Sequence, residues 1–360
     1  MSFQLPVLGW DEALAASFQP HISSGLLPAR VALEHKHVYE LLSPDGTLTA
    51  HCTGRLLHGS ASRADLPAVG DWVAIRRRPG EDHADIHAVL PRRSKFSRRA
   101  AGDTDAEQIV AANVDTVFLV TGLDGDFNLR RIERYLAVAW ESGAQPVIVL
   151  NKADLHLDPA GARSEVEAIA PTVPVVAMSA ARGEGIDALG PWLGTGRTIA
   201  LLGSSGAGKS TLVNALLGEA RQLTNSLSDA LGKGRHTTTR RELLVAPDGT
   251  LVIDTPGMRE LQLWDVNDAA LDAAFADVAT IARRCRFGDC RHDGEPGCAI
   301  RAALEDGSLA EDRWRSFQKL QREQAYAARR SDPRLARASR DFWKKINRAQ
   351  RARRELEDRD

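Results

Sequence analysis

The stretch Thr198-Ile-Ala-Leu-Leu202-Gly203-Ser204-Ser205-Gly206-Ala207-Gly208-Lys209-Ser210-Thr211 decides how the 360-residue chain is read. A short run of β-forming character passes into Gly-x-x-x-x-Gly-Lys-Ser and then into a helical segment, Thr211 to Leu217. Glycines let successive backbone N–H groups curl around phosphate oxygens, and a helix that starts directly after them adds its unpaired first-turn amides and its dipole. In such a loop Lys209 reaches the β- and γ-phosphates and the Ser210 hydroxyl ligates Mg²⁺. Gly203, Ser204, Ser205, Gly206, Ala207, Gly208, Lys209, Ser210 and Thr211 are therefore expected to hold the phosphates of a nucleotide.

Four further runs share this texture: Thr116-Val-Phe-Leu-Val120, Pro146-Val-Ile-Val-Leu150, Val173-Pro-Val-Val-Ala177 and Leu251-Val-Ile-Asp254. They suit strands buried on both faces, and Leu129 to Ser142, between the first two, carries Ile132, Leu136 and Ala139 at helical spacing. The alternation predicts a mainly parallel sheet wrapped by helices over residues 100–275. Motifs close these runs. Asp254-Thr-Pro-Gly257 offers an aspartate that can hold Mg²⁺ through water and a Gly257 amide that can sense a γ-phosphate. Asn151-Lys152-Ala153-Asp154 offers Asp154 to guanine N1–H and its exocyclic amine, Asn151 to the opposite base edge and the Lys152 stem to the ring. Adenine has neither of those donors, so a buried Asp154 would be left partly unpaired against it. Ser179 and Ala180, after the third run, would add backbone contacts to the base. The order is inverted relative to a standard GTPase, because Asn151 and Ser179 precede Gly203. A sheet whose chain ends lie close together can be reconnected in this way without changing its packing.

Different textures flank this region. Residues 1–27 mix short apolar patches with Pro and Gly and read as a loosely ordered lead-in with one helical turn around Asp11 to Phe18. Residues 28–99 carry short β-rich runs, among them Ala29 to Leu33, Val38 to Leu42 and Asp71 to Ile75, punctuated by Pro44-Asp-Gly46 and Val69-Gly-Asp71. That spacing fits a small β-barrel, with a five-stranded oligonucleotide-binding barrel as one candidate. In residues 276–360, Cys285-x₄-Cys290-x-His292-x₅-Cys298 places three thiolates and an imidazole within 14 residues. This is a complete tetrahedral shell with no open position, which favours structural zinc. Cys52 reads as a small buried residue. The net charge of −1 conceals an asymmetry: residues 313–354 hold fifteen Lys and Arg against three Asp and Glu. A second cluster comprises Arg92, Arg93, Lys95, Arg98 and Arg99, and both clusters favour a phosphate-rich partner. Trp314 and Phe317 fit a helix face packed on the zinc module, whereas Phe342 to Arg354 favour RNA. Composition that is 43% hydrophobic excludes wholesale disorder. With no long apolar run and only four cysteines, a soluble, unexported, cytoplasmic protein that contacts no membrane is expected.

Taken together, the inverted motif order, Gly234-Arg-His-Thr-Thr-Thr239, the cysteine cluster and the Val69-Gly-Asp-Trp72 barrel ending resemble the RsgA family, also called YjeQ or EngC. These are the circularly permuted GTPases of small-ribosomal-subunit biogenesis. The resemblance runs through nearly the whole chain. It implies an N-terminal barrel of the oligonucleotide-binding type, a permuted GTPase domain and a C-terminal helical zinc domain. It also implies binding to the small subunit and its rRNA, hydrolysis stimulated by the subunit, and release after hydrolysis.

Residues Gln222 to Arg240 are polar and lack periodicity, as a switch loop does, and Thr239, or failing that Thr238, would complete the Mg²⁺ shell when the γ-phosphate is present. Met258 stands where many GTPases place a water-orienting glutamine, and a thioether cannot orient water. Slow intrinsic hydrolysis is therefore expected, with His236 as the candidate water-positioning group. Asp254 to Gly257 leads directly into the zinc-bearing segment, so a switch rearrangement there would pull on it. Two other classes share parts of the pattern: a translation or signalling GTPase, and an RNA-binding scaffold with a vestigial nucleotide site. GTP and GDP, the subunit and its rRNA are the expected partners of a monomeric chain.

Overall fold

The computed structural model describes residues 3–35, 37–99, 107–218, 241–254 and 267–331. The chain begins with a 3-10 turn, Leu5–Leu8, and a helix, α1 (Glu12–Ile22), whose N-terminus is capped by the Asp11 carboxylate accepting from Leu14 N–H at 2.9 Å. This corrects the expected loose lead-in. Leu8, Leu14 and Phe18 are buried, and Trp10 packs edge-on to Phe18 and to Trp72. The apolar patches are too irregular to announce a helix, and they are ordered by a neighbouring surface that lies 60 residues further along.

Five strands, β1 (Leu27–His35), β2 (Val38–Ser43), β3 (Gly46–Cys52), β4 (Trp72–Arg77) and β5 (His83–Val89), pair in the closed circuit β1-β2-β3-β5-β4-β1, with a short helix α2 (Gly54–Gly59) after β3. Closure leaves no free edge, and the alternate residues Val31, Leu41, Leu48, Val73, Ile75 and Ile86 fill the interior. Cys52 is half-buried against Tyr39 rather than fully enclosed, and burial pushes its thiol up to about 11. Two strands outside the barrel, β6 (Lys95–Arg99) and β7 (Glu107–Ala112), form a separate hairpin.

This placement alters the reading of the basic cluster at 92–99. Arg92 forms an ion pair with the fully buried Asp71 at 2.7 Å and donates to the carbonyls of Ala64 and Leu66. Arg93 pairs with Asp11, and Lys95 pairs with Glu107. Arg92 thus braces the protein internally, whereas the side chains of Arg93 and Lys95 remain about half exposed. Arg30, inside a run read only as β-forming, is buried and donates to the carbonyls of Leu8, Gly70 and Asn113. It joins the lead-in, the barrel and the start of the next domain. Burial lowers it to about 10, so it is charged at neutral pH.

The remaining strands among the described residues are β8 (Thr116–Gly122), β9 (Gln145–Asn151), β10 (Val175–Ala177), β11 (Thr198–Leu202), β12 (Glu242–Val245) and β13 (Leu251–Asp254), ordered β10-β9-β8-β11-β13-β12. All pairings are parallel except that of β12 with β13. One pairing, Leu33 with Glu242, continues this sheet into the barrel. Between the strands run α3 (Leu129–Ser142), α4 (Pro159–Ile169) and α5 (Lys209–Leu217). Residues alternate across the sheet as a period of two requires: Phe118, Val120, Val149 and Leu201 pack on Leu212 and Val213 of α5, while Val117, Leu119 and Leu150 face the core that holds Ile132 and Leu136 of α3. Strand order reverses between β8 and β11, and the crevice at the carboxyl ends of such strands is where open α/β sheets bind ligands.

Among the described residues that follow are the helices α6 (Asp268–Ala274), α7 (Ala276–Ala282), α8 (Ala299–Glu305) and α9 (Glu311–Ser331). Trp314 of α9 stacks on Phe317, which meets Phe275 edge-on, and Trp314 and Leu320 are buried, so the apolar face of α9 is core as expected. An ionic clamp fastens these helices to the sheet domain. Fully buried Glu133 of α3 pairs with Arg313 of α9 at 2.8 Å, and Arg313 pairs with Asp277 of α7 at the same distance. Among the described residues, no helix is long and apolar enough to cross a membrane.

Candidate functional site

The phosphate loop connects β11 to α5, at the point of strand-order reversal. Gly203 is required sterically: a Cβ there would lie 2.1 Å from the Val120 carbonyl oxygen of β8. Gly206 and Gly208 have φ of 85° and 92°, which L side chains rarely adopt. Gly208 occupies the N-cap of α5 and has no side chain with which to cap the helix, which starts directly after it. This arrangement fits an anionic ligand. Lys209 Nζ donates to the carbonyls of Gly203, at 2.6 Å, and Ser204. Ser210 and Thr211 open α5 beside it.

The base motif lies at the end of β9 and the phosphate loop at the end of β11, with β8 between them. Asn151, buried, joins the two halves directly: its amide Nδ2 donates to Ala207 O at 2.9 Å, and its Oδ1 accepts from Ala180 N–H at 2.9 Å. A side chain at Gly208 would collide with that amide. Lys152 takes a left-handed φ of 61°, and its ammonium pairs with Asp124 at 2.5 Å. Ala153 N–H donates to Met178 O, tying the base motif to the loop that carries Ser179 and Ala180. The Asp154 carboxylate is nearly enclosed and forms an ion pair with Arg182 at 3.2 Å. A guanidinium is a donor-only group, and guanine N1–H with the exocyclic amine offers the same pattern of donors. Asp254 ends β13, opposite Glu242 of β12 and one strand from the phosphate loop. His236, Thr238, Thr239, Gly257 and Met258 lie outside the described residues, as do Phe342 to Arg354.

The second candidate centre is the cysteine cluster. The ligand atoms of Cys285, Cys290, His292 and Cys298 lie within 4.8 Å of one another. His292 Nδ1 stands 3.6 Å from Cys285 Sγ and 3.5 Å from Cys298 Sγ. Tetrahedral zinc with bonds of about 2.3 Å to sulfur and about 2.0 Å to nitrogen would place sulfur and nitrogen about 3.5 Å apart, so the residues fit the ion. Positive φ at His292 (62°) turns the chain back toward Cys285, and Cys298 stands at the N-terminal boundary of α8, where Ala299 N–H donates to Cys285 Sγ at 3.3 Å. Partial burial lowers His292 from its ordinary value, which keeps the ring neutral and able to coordinate. Its edge meets Trp314 of α9, so the cluster is seated on the same aromatic core as the clamp.

Residues 89–264 match the RsgA GTPase family. The chain is 66% identical, across 99% of both chains, to the small ribosomal subunit biogenesis GTPase RsgA of Opitutus terrae. It belongs to the RsgA GTPase family. The crystal structure of YjeQ from Thermotoga maritima, 28% identical, superposes with a TM-score of 0.64 and covers 83% of this chain and 98% of that one. That of YloQ, a circularly permuted GTPase, 21% identical, gives 0.59 over 83% and 95% and shows the same fold. This RsgA-family GTPase thus carries the expected permuted sheet behind an N-terminal barrel and ahead of the cysteine cluster.

Sequence reading did not identify Asp124 and Asp126, Arg182, or the Glu133–Arg313–Asp277 clamp. Asp124 and Asp126 had a usable signal: they follow a strand of the parallel sheet directly, where ligand-binding loops converge. Partial desolvation works against the charge on Asp126, yet Arg131 and the Ser204 hydroxyl outweigh it and hold the carboxyl below its usual range. Arg182 and Arg313 stand among many arginines, and only the folded chain distinguishes them.

Proposed function

We propose that the chain binds the small ribosomal subunit, assists its late maturation, and hydrolyses GTP slowly alone and faster on the subunit. The observation that carries this reading is the joining of the phosphate loop to the base motif through Asn151, in a chain 66% identical over nearly its whole length to a protein named for small-subunit biogenesis. Loop amides from Gly203 to Thr211 and Lys209 hold the phosphates, and Asn151 to Asp154 with Ser179 and Ala180 hold the guanine. Ser210 and Thr239 ligate Mg²⁺, which when bound neutralises charge on the β- and γ-oxygens. Asp254 takes the metal through water, Gly257 senses the γ-phosphate, and His236 orients the attacking water because Met258 cannot. One structural zinc, held by Cys285, Cys290, His292 and Cys298, keeps the helical domain at 276–360 folded. The barrel at 28–99 and the basic residues beyond α9 contact rRNA, flanking the GTPase domain at 100–275. A cytoplasmic monomer suits these roles. Turnover measured with and without purified small subunits tests the reading. Stimulation by the subunit is expected, and an identical rate in both conditions would refute the ribosomal role.

A further inference from the structure

We propose that Asp126 is a positioning residue for the phosphates, acting through Ser204, and that the turn between β8 and α3 locks the base half of the site to the phosphate half. The inference rests on the GTP-binding reading above. Three contacts compose the lock. Asp124 receives the Lys152 ammonium of the base motif, and its Oδ1 also accepts the Asp126 N–H at 3.1 Å. Asp126 in turn accepts the hydroxyl of Ser204, second residue of the phosphate loop. Arg131, in the first turn of α3, pairs with the same carboxylate. The chain of contacts therefore runs from Lys152 through both acids to the loop, and α3 supports its outer end.

The side chains of Asp124, Asp126, Lys152 and Arg131 are each about 30% exposed, being 31%, 31%, 28% and 32% accessible. Ion pairs so open to water add little to global stability, so their consequence is geometric. What they constrain is a loop containing Gly203, Gly206 and Gly208, whose backbone would otherwise sample many conformations. Holding Ser204 removes part of that freedom before a nucleotide arrives, and preorganisation of this kind raises affinity without a new contact to the ligand. Arg131 and the Ser204 hydroxyl also occupy the Asp126 oxygens, which lessens the repulsion between this carboxylate and an incoming polyanion.

The test is calorimetric titration of the full chain with Mg²⁺, using GDP and guanosine as probes. Asp126→Ala and Ser204→Ala should each weaken GDP roughly tenfold, as expected for a hydrogen bond to a charged group, and leave guanosine unchanged. Combined, they should be no worse than either alone, because they remove the same contact. Asp126→Asn, which can still accept the hydroxyl, should recover most of the affinity. Steady-state turnover should show KM for GTP raised with kcat nearly constant, since the loop is held alike in ground and transition states. GDP affinity equal to that of the parent chain, additive losses, or equal weakening of guanosine would each overturn the proposal. Failure of the unsubstituted chain to bind GDP would overturn the GTP reading itself, and this inference with it.

Discussion

Replacing Arg313 by alanine probes how the helical domain is attached to the GTPase. The guanidinium is 5% exposed and meets Glu133, whose side chain is fully enclosed, at 2.8 Å. It also pairs with Asp277 and donates to the carbonyls of Ala274 and Ile169 at 3.1 and 3.2 Å. Nη1 approaches Glu133 without a well-aligned hydrogen bond, so that contact is chiefly Coulombic. Stranding one member of a buried pair costs about 3–5 kcal/mol. Arg130 and the Ser316 hydroxyl still reach Glu133, which favours the lower end of that range. The guanidinium lies 4.2 Å over the Phe275 ring, and losing that contact adds about 1 kcal/mol. A total near 4 kcal/mol would raise the opening equilibrium of the interface by roughly several hundredfold. Native-state hydrogen exchange reads this locally, as protection lost in α3, α6, α7 and α9, and does not require one unfolding transition for the whole chain. Glu133→Leu combined with Arg313→Met should restore most of the protection, because an apolar pair of similar volume removes the stranded charge. A change below about fivefold in the single variant, or no recovery in the double, would refute the ionic account.

Four further outcomes follow from the same geometry. Asp154→Asn should weaken GTP by about tenfold or more in a binding titration and improve relative affinity for xanthosine triphosphate, whose C2 carbonyl can accept from the new amide. In Cys298→Ser, elemental analysis should show zinc falling well below one per chain, and circular dichroism should report helix loss as the metal that pins the start of α8 is lost. Gly203→Ala, whose new Cβ would meet the Val120 carbonyl, should abolish measurable GDP binding while near-native far-UV dichroism is retained. Partial burial raises the Asp277 carboxyl, but its hydrogen bond and charge pairing with Arg313 outweigh this and hold it below the usual range. A lowered folded value contributes stability above about pH 4, which is lost as pH falls through that lowered value. Acid unfolding should therefore expose α9 first in a pH-jump exchange experiment, and Asp277→Asn should flatten that acid limb.

Sequence alone brought out the constellations that depend on residue type at close spacing. Gly203 to Ser210, Asn151 to Asp154 and the Cys285-to-Cys298 ligands each complete a local constellation within one loop, so a linear reading recovers them together with the strands that carry them. Doubly apolar runs likewise announced the parallel sheet, because a strand covered on both faces has no polar side to show. The tertiary structure decided what depends on partners distant in the chain. Whether Arg92 faces RNA or Asp71, whether residues 5–22 are ordered, and which of many arginines clamps Glu133 are questions of proximity across 20 to 180 residues. An arginine has the same sequence signature in all these settings. Its role is set by whether a carboxylate or water surrounds its guanidinium, and the chain specifies that only when folded.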